Sequence, residues 1–453
     1  MKIVIIGVGT IGKTVLKSLS GKGYTITIID EDKDKIESLI EKYDVQGIIG
    51  NGASLDIQRE AGVRGADLVI ALTRSDELNV FACLVAKKIG VKNTIARVRN
   101  PEYRRQIIEM QDELEISMIV NPEEDTATEI FNIISLPGIA KVERFAKGRV
   151  LLVEIVAEKG CILIGETLST IARKLDSKVL ICAVQRGNEV IIPSGNFMFE
   201  EGDRIHFTSE STVLRDFLSE IKIVKSPLKN IMIVGGSKIA YYLADALSKK
   251  KYKVKLVEND KKTAEELAEM LPKVTVINGN GAQHDLLIEE GIEAMDAFIA
   301  LTDIDEENMI VSMFANKMKV KKTITKIKSD ELYGMLLELG ITNNVSPKDI
   351  VANRVLSYVR ALENKRGSNV LTLYKLVNNQ VEALEFLAKR QDKFYDKPLK
   401  ELKPKLKENC LIACILRNNT VIIPDGNTSI QQGDNVIVVT THKDFDDLRD
   451  IFL

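Results

Sequence analysis

At 453 residues the chain is long enough for three or four domains of ordinary size. It is 45% hydrophobic and 28% charged, which is a globular composition, and its formal net charge of −2 excludes a global basic field that would recruit nucleic acid or an anionic membrane. No apolar run approaches the ~18 residues that span a bilayer, and Met1-Lys2 leads directly into a strand-like run, so we expect a soluble, cytoplasmic protein without a signal peptide.

The first part of the chain alternates between strand-like and helical patterns. Apolar, β-branched runs predict strands at 2–6, 25–30, 46–49, 68–72 and 94–98. Helical spacing predicts helices at 10–20, 34–43, 54–60 and 77–88, and an amphipathic helix at 126–136 that ends at Pro137-Gly138. This alternation of strands and helices predicts a parallel sheet with helices on both faces, which is an α/β, Rossmann-like domain.

The pattern then changes to short strands separated by turn residues. We predict strands at 150–156, 179–185, 189–192 and 204–208, which together make a small β-rich module. Residues 225–230 have the composition of a linker, and residues 364–369 mark a similar joint further along the chain.

The most informative feature is that these two parts occur twice. Gly50-Asn51-Gly52-Ala53 returns as Gly279-Asn280-Gly281-Ala282, and Ala71-Leu72-Thr73 returns as Ala300-Leu301-Thr302. Asp76-Glu77 and Asn79 return as Asp305-Glu306 and Asn308, and Val190-Ile-Ile-Pro193 returns as Val421-Ile-Ile-Pro424. The chain is therefore predicted to be a duplicated two-part unit, with domains at 1–137, 138–224, 229–366 and 367–453.

A Gly7-x-Gly9-x-x-Gly12 motif lies between the first strand and the first helix, and Asp30 ends the next strand. Gly7 permits a tight turn, Gly9 allows a diphosphate to approach the backbone, and Gly12 allows the helix to pack close to the sheet. Asp30 would accept hydrogen bonds from the adenosine ribose and would repel a 2′-phosphate. The motif therefore predicts a site for NAD(H) in preference to NADP(H).

The second copy of this motif is altered. Gly235 is retained and Glu258 replaces Asp30, but Ser237 stands in the place of Gly9 and Ala240 in the place of Gly12. Alanine still allows close helix packing, whereas Ser237 adds a Cβ atom where a diphosphate needs bare backbone. A purely structural second site, a mononucleotide site and a weaker dinucleotide site all remain open.

Polar residues follow two further strands of the first half at their carboxyl ends, where open α/β sheets bind ligands. Thr73 and Arg74 follow the fourth strand, and Arg97 and Arg99 lie at the end of the fifth. Arg97 could pair with a phosphate or form a surface ion pair, and Thr73 or Ser75 could also serve as the N-cap of the next helix.

These motifs resemble the RCK (KTN) nucleotide-binding domain family, and the Val-Ile-Ile-Pro segments resemble the small RCK C-terminal domain. The order of four domains is similar to that of the peripheral regulatory subunits of Trk-type potassium uptake systems. The resemblance implies NAD(H) as ligand with ATP or ADP as alternatives, a homo-oligomeric ring of two or four chains, and docking at the inner face of the membrane on a Trk-type potassium channel or transporter subunit.

The resemblance also implies two sets of ligand-binding residues. The first set is Gly7, Val8, Gly9, Thr10, Ile11, Gly12, Asp30, Asn51, Thr73, Arg74 and Arg97. The second set is Gly235, Gly236, Ser237, Lys238, Ile239 and Glu258. Many members of the family carry aspartate where Asn51 stands, although asparagine can also accept a hydrogen bond.

A regulatory subunit and an NAD-dependent dehydrogenase are the two functional interpretations of such a chain. A dehydrogenase needs an acid–base or metal site near the nicotinamide. The sequence shows no such constellation, and its histidines, His206, His284 and His442, have no metal-ligand spacing. We therefore predict a regulatory, non-enzymatic protein with neither a catalytic nor a metal site.

Overall fold

The computed structural model describes the whole chain except residues 111–112, 136–138, 146–148, 188, 211, 224–227, 340, 342, 365–369, 377–380, 390–393, 419, 443–444, 446 and 453. The chain forms two compact units. The first unit contains 1–131 and 228–356, and the second contains 132–227 and 357–453. Each unit therefore combines equivalent parts of the two sequence repeats.

The first unit begins with a sheet of six parallel strands in the order β3-β2-β1-β4-β5-β6. The strands are β1 (Lys2–Ile6), β2 (Thr25–Asp30), β3 (Gln46–Ile49), β4 (Leu68–Ala71), β5 (Asn93–Arg97) and β6 (Met118–Val120). The helices of this half are α1 (Thr10–Leu19), α2 (Lys33–Lys42), α3 (Leu55–Glu60), α4 (Asp76–Ile89), α5 (Pro101–Glu109) and α6 (Pro122–Ser135). This strand order is that of a Rossmann fold.

The helix α6 begins four residues before the predicted 126–136 segment, and its predicted end at Leu136 and Pro137-Gly138 lies outside the described residues. The strand β6 and the helix α5 were not predicted. The predicted linker at 225–230 and joint at 364–369 fall largely outside the described residues.

Between the repeats, the chain passes through the first β-rich module. Its five strands are β7 (Ile139–Phe145), β8 (Val150–Val156), β9 (Leu180–Arg186), β10 (Glu189–Ile191) and β11 (Arg204–Glu210), in the order β10-β9-β11-β8-β7. They pair antiparallel. Two short helices complete the module: α7 (Leu168–Lys174) and α8 (Leu214–Glu220).

The second Rossmann-like half repeats the first. Its parallel strands run in the order β14-β13-β12-β15-β16-β17 and are β12 (Asn230–Val234), β13 (Lys253–Glu258), β14 (Thr275–Asn278), β15 (Ala297–Ala300), β16 (Lys322–Lys326) and β17 (Asn344–Val345). Its helices are α9 (Lys238–Lys249), α10 (Lys261–Met270), α11 (His284–Glu289), α12 (Asp305–Lys317), α13 (Asp330–Glu338) and α14 (Pro347–Asn364).

The second β-rich module repeats the topology of the first. Its strands run in the order β18-β19-β22-β20-β21 and are β18 (Val370–Leu376), β19 (Val381–Leu387), β20 (Cys410–Arg417), β21 (Thr420–Ile422) and β22 (Asn435–Thr440), with a short helix α15 (Leu399–Leu402). The predicted fold class, two Rossmann-like parallel sheets each followed by a small β-rich domain, is confirmed.

Within each unit, the two repeats contact each other. In the second unit, Val150, Leu152 and Cys182 of one module share a buried cluster with Val439 and Cys414 of the other. In the first unit, Asp125 of α6 forms an ion pair with Arg354 of α14.

Short 3-10 turns Val63–Gly65, Ile292–Ala294, Lys403–Lys405 and Leu448–Ile451 complete the elements. Over the part of the chain that the structure describes, every helix is too short or too polar to cross a lipid bilayer.

Candidate functional site in the first Rossmann half

The glycine loop between β1 and α1 brings the backbone close to the neighbouring strand end. Gly7 has a φ of +87°, and a Cβ atom there would lie 2.7 Å from the amide nitrogen of Thr73. A Cβ atom on Gly12 would lie 2.1 Å from the carbonyl oxygen of Gly7. Only glycine fits at either position, so α1 packs directly against the loop.

Gly9 has the opposite environment, because a Cβ atom placed there would meet nothing within 4 Å. Gly9 is the N-cap of α1 and has no side chain to bond the first amides of that helix. An uncapped helix N-terminus has free N–H groups and a positive dipole end, which together attract phosphate. Thr10 is exposed and Ile11 is half-buried in the first turn that follows.

Asp30, at the carboxyl end of β2, organises this loop. Its carboxylate accepts hydrogen bonds from the backbone amide of Val8 at 2.8 Å and from that of Asp32 at 3.1 Å. Lys35 lies 3.9 Å away as the nearest cation. A carboxylate has about four acceptor positions, so these two amides leave about two of them for other donors.

Asn51 lies in the exposed loop that follows β3. Its side-chain oxygen accepts a hydrogen bond from the amide of Ala53 at 2.8 Å. The loop sits close on β1, since a Cβ atom on Gly52 would lie 2.1 Å from Cγ2 of Ile6. Asn51 is therefore held at the same sheet edge as Asp30, although one of its acceptor positions already serves the loop.

Asn79, which is fully buried in α4, ties together the ends of β4 and β5. Its side-chain oxygen accepts from the amide of Thr73 at 2.8 Å and from the Thr73 hydroxyl at 2.7 Å. Its amide nitrogen donates to the carbonyl oxygens of Thr73 and Arg97 at 3.2 and 3.0 Å. One side chain thus fixes the positions of two residues of the predicted site.

Of the two residues that could cap the N-terminus of α4, Thr73 and Ser75, the structure shows that Ser75 does so. Its hydroxyl accepts a hydrogen bond from the amide of Leu78 at 3.1 Å, whereas the Thr73 hydroxyl is directed to Asn79. Asp76, in the first turn of α4, accepts from the amides of Arg99 and Asn100 at 2.9 and 2.8 Å. The roles of Asn79 and Asp76 were not predicted, although both belong to the repeated sequence motif.

Three arginines converge on this edge of the sheet. Arg74 is exposed, and Arg99 lies 3.7 Å from the carboxylate of Asp76. Arg97 contacts the carbonyl oxygen of Thr73 at 3.4 Å, but its Nε atom is buried and has no hydrogen-bond partner. Burial and then the neighbouring Arg99 lower the pKa of Arg97. An unpaired buried guanidinium nitrogen at this place favours an anionic ligand.

The glycine loop of the second half makes the same tight turn as that of the first, but a glutamate carboxylate holds it instead of an aspartate. Gly235 has a φ of +99° and, like Gly7, leaves no room for a Cβ atom against the next strand end. The carboxylate of Glu258 accepts from the amide of Gly236 and, at 2.7 Å, from that of Asp260. A Cβ atom on Gly236 would lie 2.6 Å from that carboxylate, so the longer glutamate requires glycine where the first half has Val8.

The beginning of α9 differs from that of α1. The Ser237 hydroxyl accepts a weak hydrogen bond from the amide of Ala240 at 3.4 Å and so caps the helix. Lys238 is exposed and Ile239 is buried in the first turn. The serine that replaces Gly9 therefore satisfies an amide that the first half leaves available.

The Asn79 network is also repeated in the second half. The Asn308 side chain accepts from the amide of Thr302 at 2.8 Å and donates to the carbonyl oxygens of Thr302 and Lys326 at 3.0 and 3.1 Å. The asparagine therefore holds the backbone of the two strand ends in the same way in both halves, although α12 begins at Ile304 without the side-chain cap that Ser75 gives α4.

Each of the three histidines has its own structural surroundings. His284 stacks on Phe314 with ring centroids 3.9 Å apart, His442 contacts the carbonyl oxygen of Glu408, and His206 is buried in β11 of the second unit. Among the residues that the structure describes, His, Cys, Asp and Glu side chains form no group of three that could hold a metal ion.

Comparison with known proteins places this chain in a family. The TrkA-N domain matches residues 3–122 and 231–347, and the TrkA-C domain matches 152–222 and 384–453. The chain belongs to the TrkA family. Its relatives include the Trk system potassium uptake protein TrkA of Vibrio alginolyticus, 32% identical over 98% of this chain and 97% of that protein. The TrkA protein of Haemophilus influenzae is 31% identical over 98% of this chain and 96% of that protein.

Solved structures agree with this assignment to the TrkA family at the level of the fold. The GsuK channel covers 97% of this chain and 76% of its own chain, with a TM-score of 0.65 and 18% identity. The match to the GsuK RCK domain covers 97% of this chain and 92% of that domain's chain, with a TM-score of 0.64 and 17% identity. The family therefore uses the tandem RCK fold, as the sequence motifs predict.

Proposed function

We propose that the chain is a nucleotide-binding regulatory subunit that gates potassium uptake through a Trk-type membrane subunit. Its relatives of about 30% identity over nearly the whole length are named Trk system potassium uptake proteins. The proposal places the chain at the inner face of the cell membrane, held there by its partner. Two observations support its ligand dependence: the open space at Gly9, and the unpaired Nε atom of Arg97 at the end of β5.

The ligand proposed for the first half is NAD(H), with ATP and ADP as alternatives. The diphosphate would bind at the N-terminus of α1, the ribose hydroxyls would donate to Asp30, and Arg97 would face a phosphate oxygen. GsuK structures are described as bound to NAD and as bound to ADP, and these share the fold of this chain. The adenosine, ribose and phosphate groups common to these ligands are the parts that the first half is suited to hold.

The ring is proposed from two exposed apolar patches at equivalent places. The first patch is Phe81 on α4, Ile108 on α5 and Met110 just after α5, next to a cavity of about 710 Å³ lined by Val80, Leu84 and Ile107 among others. The second patch is Ile310 and Met313 on α12, Met335 on α13 and Leu339 just after α13. Apolar patches of this kind favour association, and two per chain allow each chain to contact two others. A second copy of the chain is therefore the proposed occupant of each patch.

Gating follows if the ring has two shapes with different nucleotide affinities, because a ligand shifts an equilibrium only by its differential affinity. The test measures potassium flux in vesicles that contain the membrane subunit, with and without this protein, under NADH, NAD, ATP or ADP. We expect flux to depend on the nucleotide and this dependence to be lost in Asp30→Ala. Flux that ignores the nucleotide while the complex stays assembled would show that the chain does not gate.

The dehydrogenase interpretation has its own test. The protein is incubated with NADH and a panel of carbonyl substrates, and absorbance is followed at about 340 nm, the band of reduced nicotinamide. We expect NADH to remain reduced. A protein-dependent loss of absorbance that Asp30→Ala abolishes would restore the dehydrogenase interpretation.

A further inference from the structure

The two Rossmann halves carry opposite charges at one equivalent position beside the strand edge. Arg74 follows Thr73 in the first half, and Asp303 follows Thr302 in the second. Both residues come directly after the repeated Ala-Leu-Thr segment at the end of β4 or β15. The backbone around them is held alike by Asn79 and Asn308, so the exchange changes the charge of the edge without changing its framework.

Asp303 pairs with both lysines of this edge. Its carboxylate lies 3.3 Å from Nζ of Lys326 and 3.5 Å from Nζ of Lys328. Lys326 is almost fully buried and also donates to the carbonyl oxygen of Leu301 at 3.2 Å. Burial lowers the pKa of Lys326, and Asp303 partly offsets that shift. The cation that replaces Arg97 is therefore already matched by an anion of the chain itself.

Among the described residues, the first half has no equivalent anion on its half-buried arginine, Arg97. Glu123 and Asp76 lie near enough to Arg97 to favour its charged form, but neither forms an ion pair with it among the described residues. Asp76 is also engaged by two backbone amides. Arg97 donates to the Thr73 carbonyl through Nη1, as Lys326 does to that of Leu301. The difference is that Nε of Arg97 has no hydrogen-bond partner, whereas Lys326 also donates to Asp303.

The helix N-termini show the same contrast independently. In the first half, Gly9 leaves the first turn of α1 without a side-chain cap. In the second half, the Ser237 hydroxyl caps α9 through the amide of Ala240. In the second half, side chains of the chain thus pair the cation and engage one amide of the helix N-terminus.

We propose, on the basis of the proposed function, that the Asp303 carboxylate occupies the anion-binding position of the second half, so that this half excludes nucleotide diphosphates and each chain binds one dinucleotide. Asp303 then acts as a built-in substitute for a phosphate group. It is the residue that determines the difference in specificity between two halves with the same fold. The ligand-dependent signal therefore originates in the first half.

The experiment titrates the full-length protein with NADH in a calorimeter and counts the molecules bound per chain. Four proteins are compared: the natural chain, Ser237→Gly, Asp303→Asn, and the double variant. Asp303 is an exposed side chain, so its replacement is expected to leave the fold intact, and thermal unfolding checks this. The matched control in the first half is Arg74→Asp, which introduces an acid at the same position of the other repeat.

We expect one NADH per chain for the natural protein and for Ser237→Gly. The double variant should bind a second NADH per chain. Arg74→Asp should weaken binding to the first half at least tenfold. The proposal is wrong if the natural chain binds two molecules, if Ser237→Gly alone gains the second, or if the double variant stays at one. A natural chain that binds no NADH, ATP or ADP contradicts the proposed function, and this proposal with it.

Discussion

Replacement of Asp30 by alanine should have two separable effects, because this carboxylate has one role in the loop and a proposed second role toward the ligand. Its side chain is only 15% exposed and accepts a hydrogen bond from the amide of Val8 at 2.8 Å. Val8 is fully buried, so no solvent can replace the lost acceptor. A buried amide without a partner costs about 1–3 kcal/mol, which is the expected loss in the free energy of unfolding.

The second effect is on the ligand. Loss of the hydrogen bonds to the ribose hydroxyls should weaken NADH binding by about 1–3 kcal/mol, or roughly fivefold to 150-fold in Kd. Glu258→Ala is the matched control, since Glu258 supports the loop of the second half through the amides of Gly236 and Asp260. It should lower stability by a similar amount and leave the affinity of the first half unchanged.

The assay combines urea unfolding of each variant with calorimetric titration of the folded protein by NADH. The expected pattern is a loss of stability in both variants and a loss of affinity in Asp30→Ala alone. If Asp30→Ala loses stability but keeps its affinity, the carboxylate serves only the loop. If Glu258→Ala loses as much affinity, the effect is not local to the first half, and the assignment of Asp30 to the ribose fails.

Two further predictions concern packing and cysteine reactivity. Gly12→Ala should lower the free energy of unfolding, measured in urea, by about 1–3 kcal/mol. The reason is that the new Cβ atom would lie 2.1 Å from the carbonyl oxygen of Gly7, which outweighs the better helix propensity of alanine. A variant as stable as the natural chain would contradict this close approach. Burial raises the pKa of Cys83, Cys182 and Cys414 to about 12. At pH 8 only about one such thiol in 10⁴ is ionised, so iodoacetamide should leave all three unmodified in the native protein by mass spectrometry; alkylation as fast as in urea would contradict their burial.

The parallel sheets were predictable from sequence because buried strands are continuous β-branched runs. The strand β1 (Lys2–Ile6) and the strand β2 (Thr25–Asp30) have their predicted bounds. The strand β6 was missed because its three residues, Met118–Val120, are too few to show a period. The helix α5 (Pro101–Glu109) was missed because its mixture of charged and apolar residues gives only a weak helical pattern.

A residue of the candidate site could be predicted from sequence only where a single physical requirement explains its residue type. Gly7 and Gly12 are such cases, since the structure leaves no room for a Cβ atom at either. Asn79 is not, because its role depends on four hydrogen bonds to residues that sequence alone does not bring together. Its repetition as Asn308 was visible in the sequence, but a repeat does not state what the side chain contacts.

The duplication separates the residues that build the edge of the sheet from those that choose the ligand. The positions that hold the backbone keep their residue type in both halves, as Asn79 and Asn308 do, and they make the same hydrogen bonds. The positions that face the ligand differ, as Gly9 and Ser237 do at the helix N-terminus. Because both halves share one fold and one chain, a difference in binding between them cannot come from the fold. It must come from those few side chains, so exchanging them between the halves tests function while the framework stays constant.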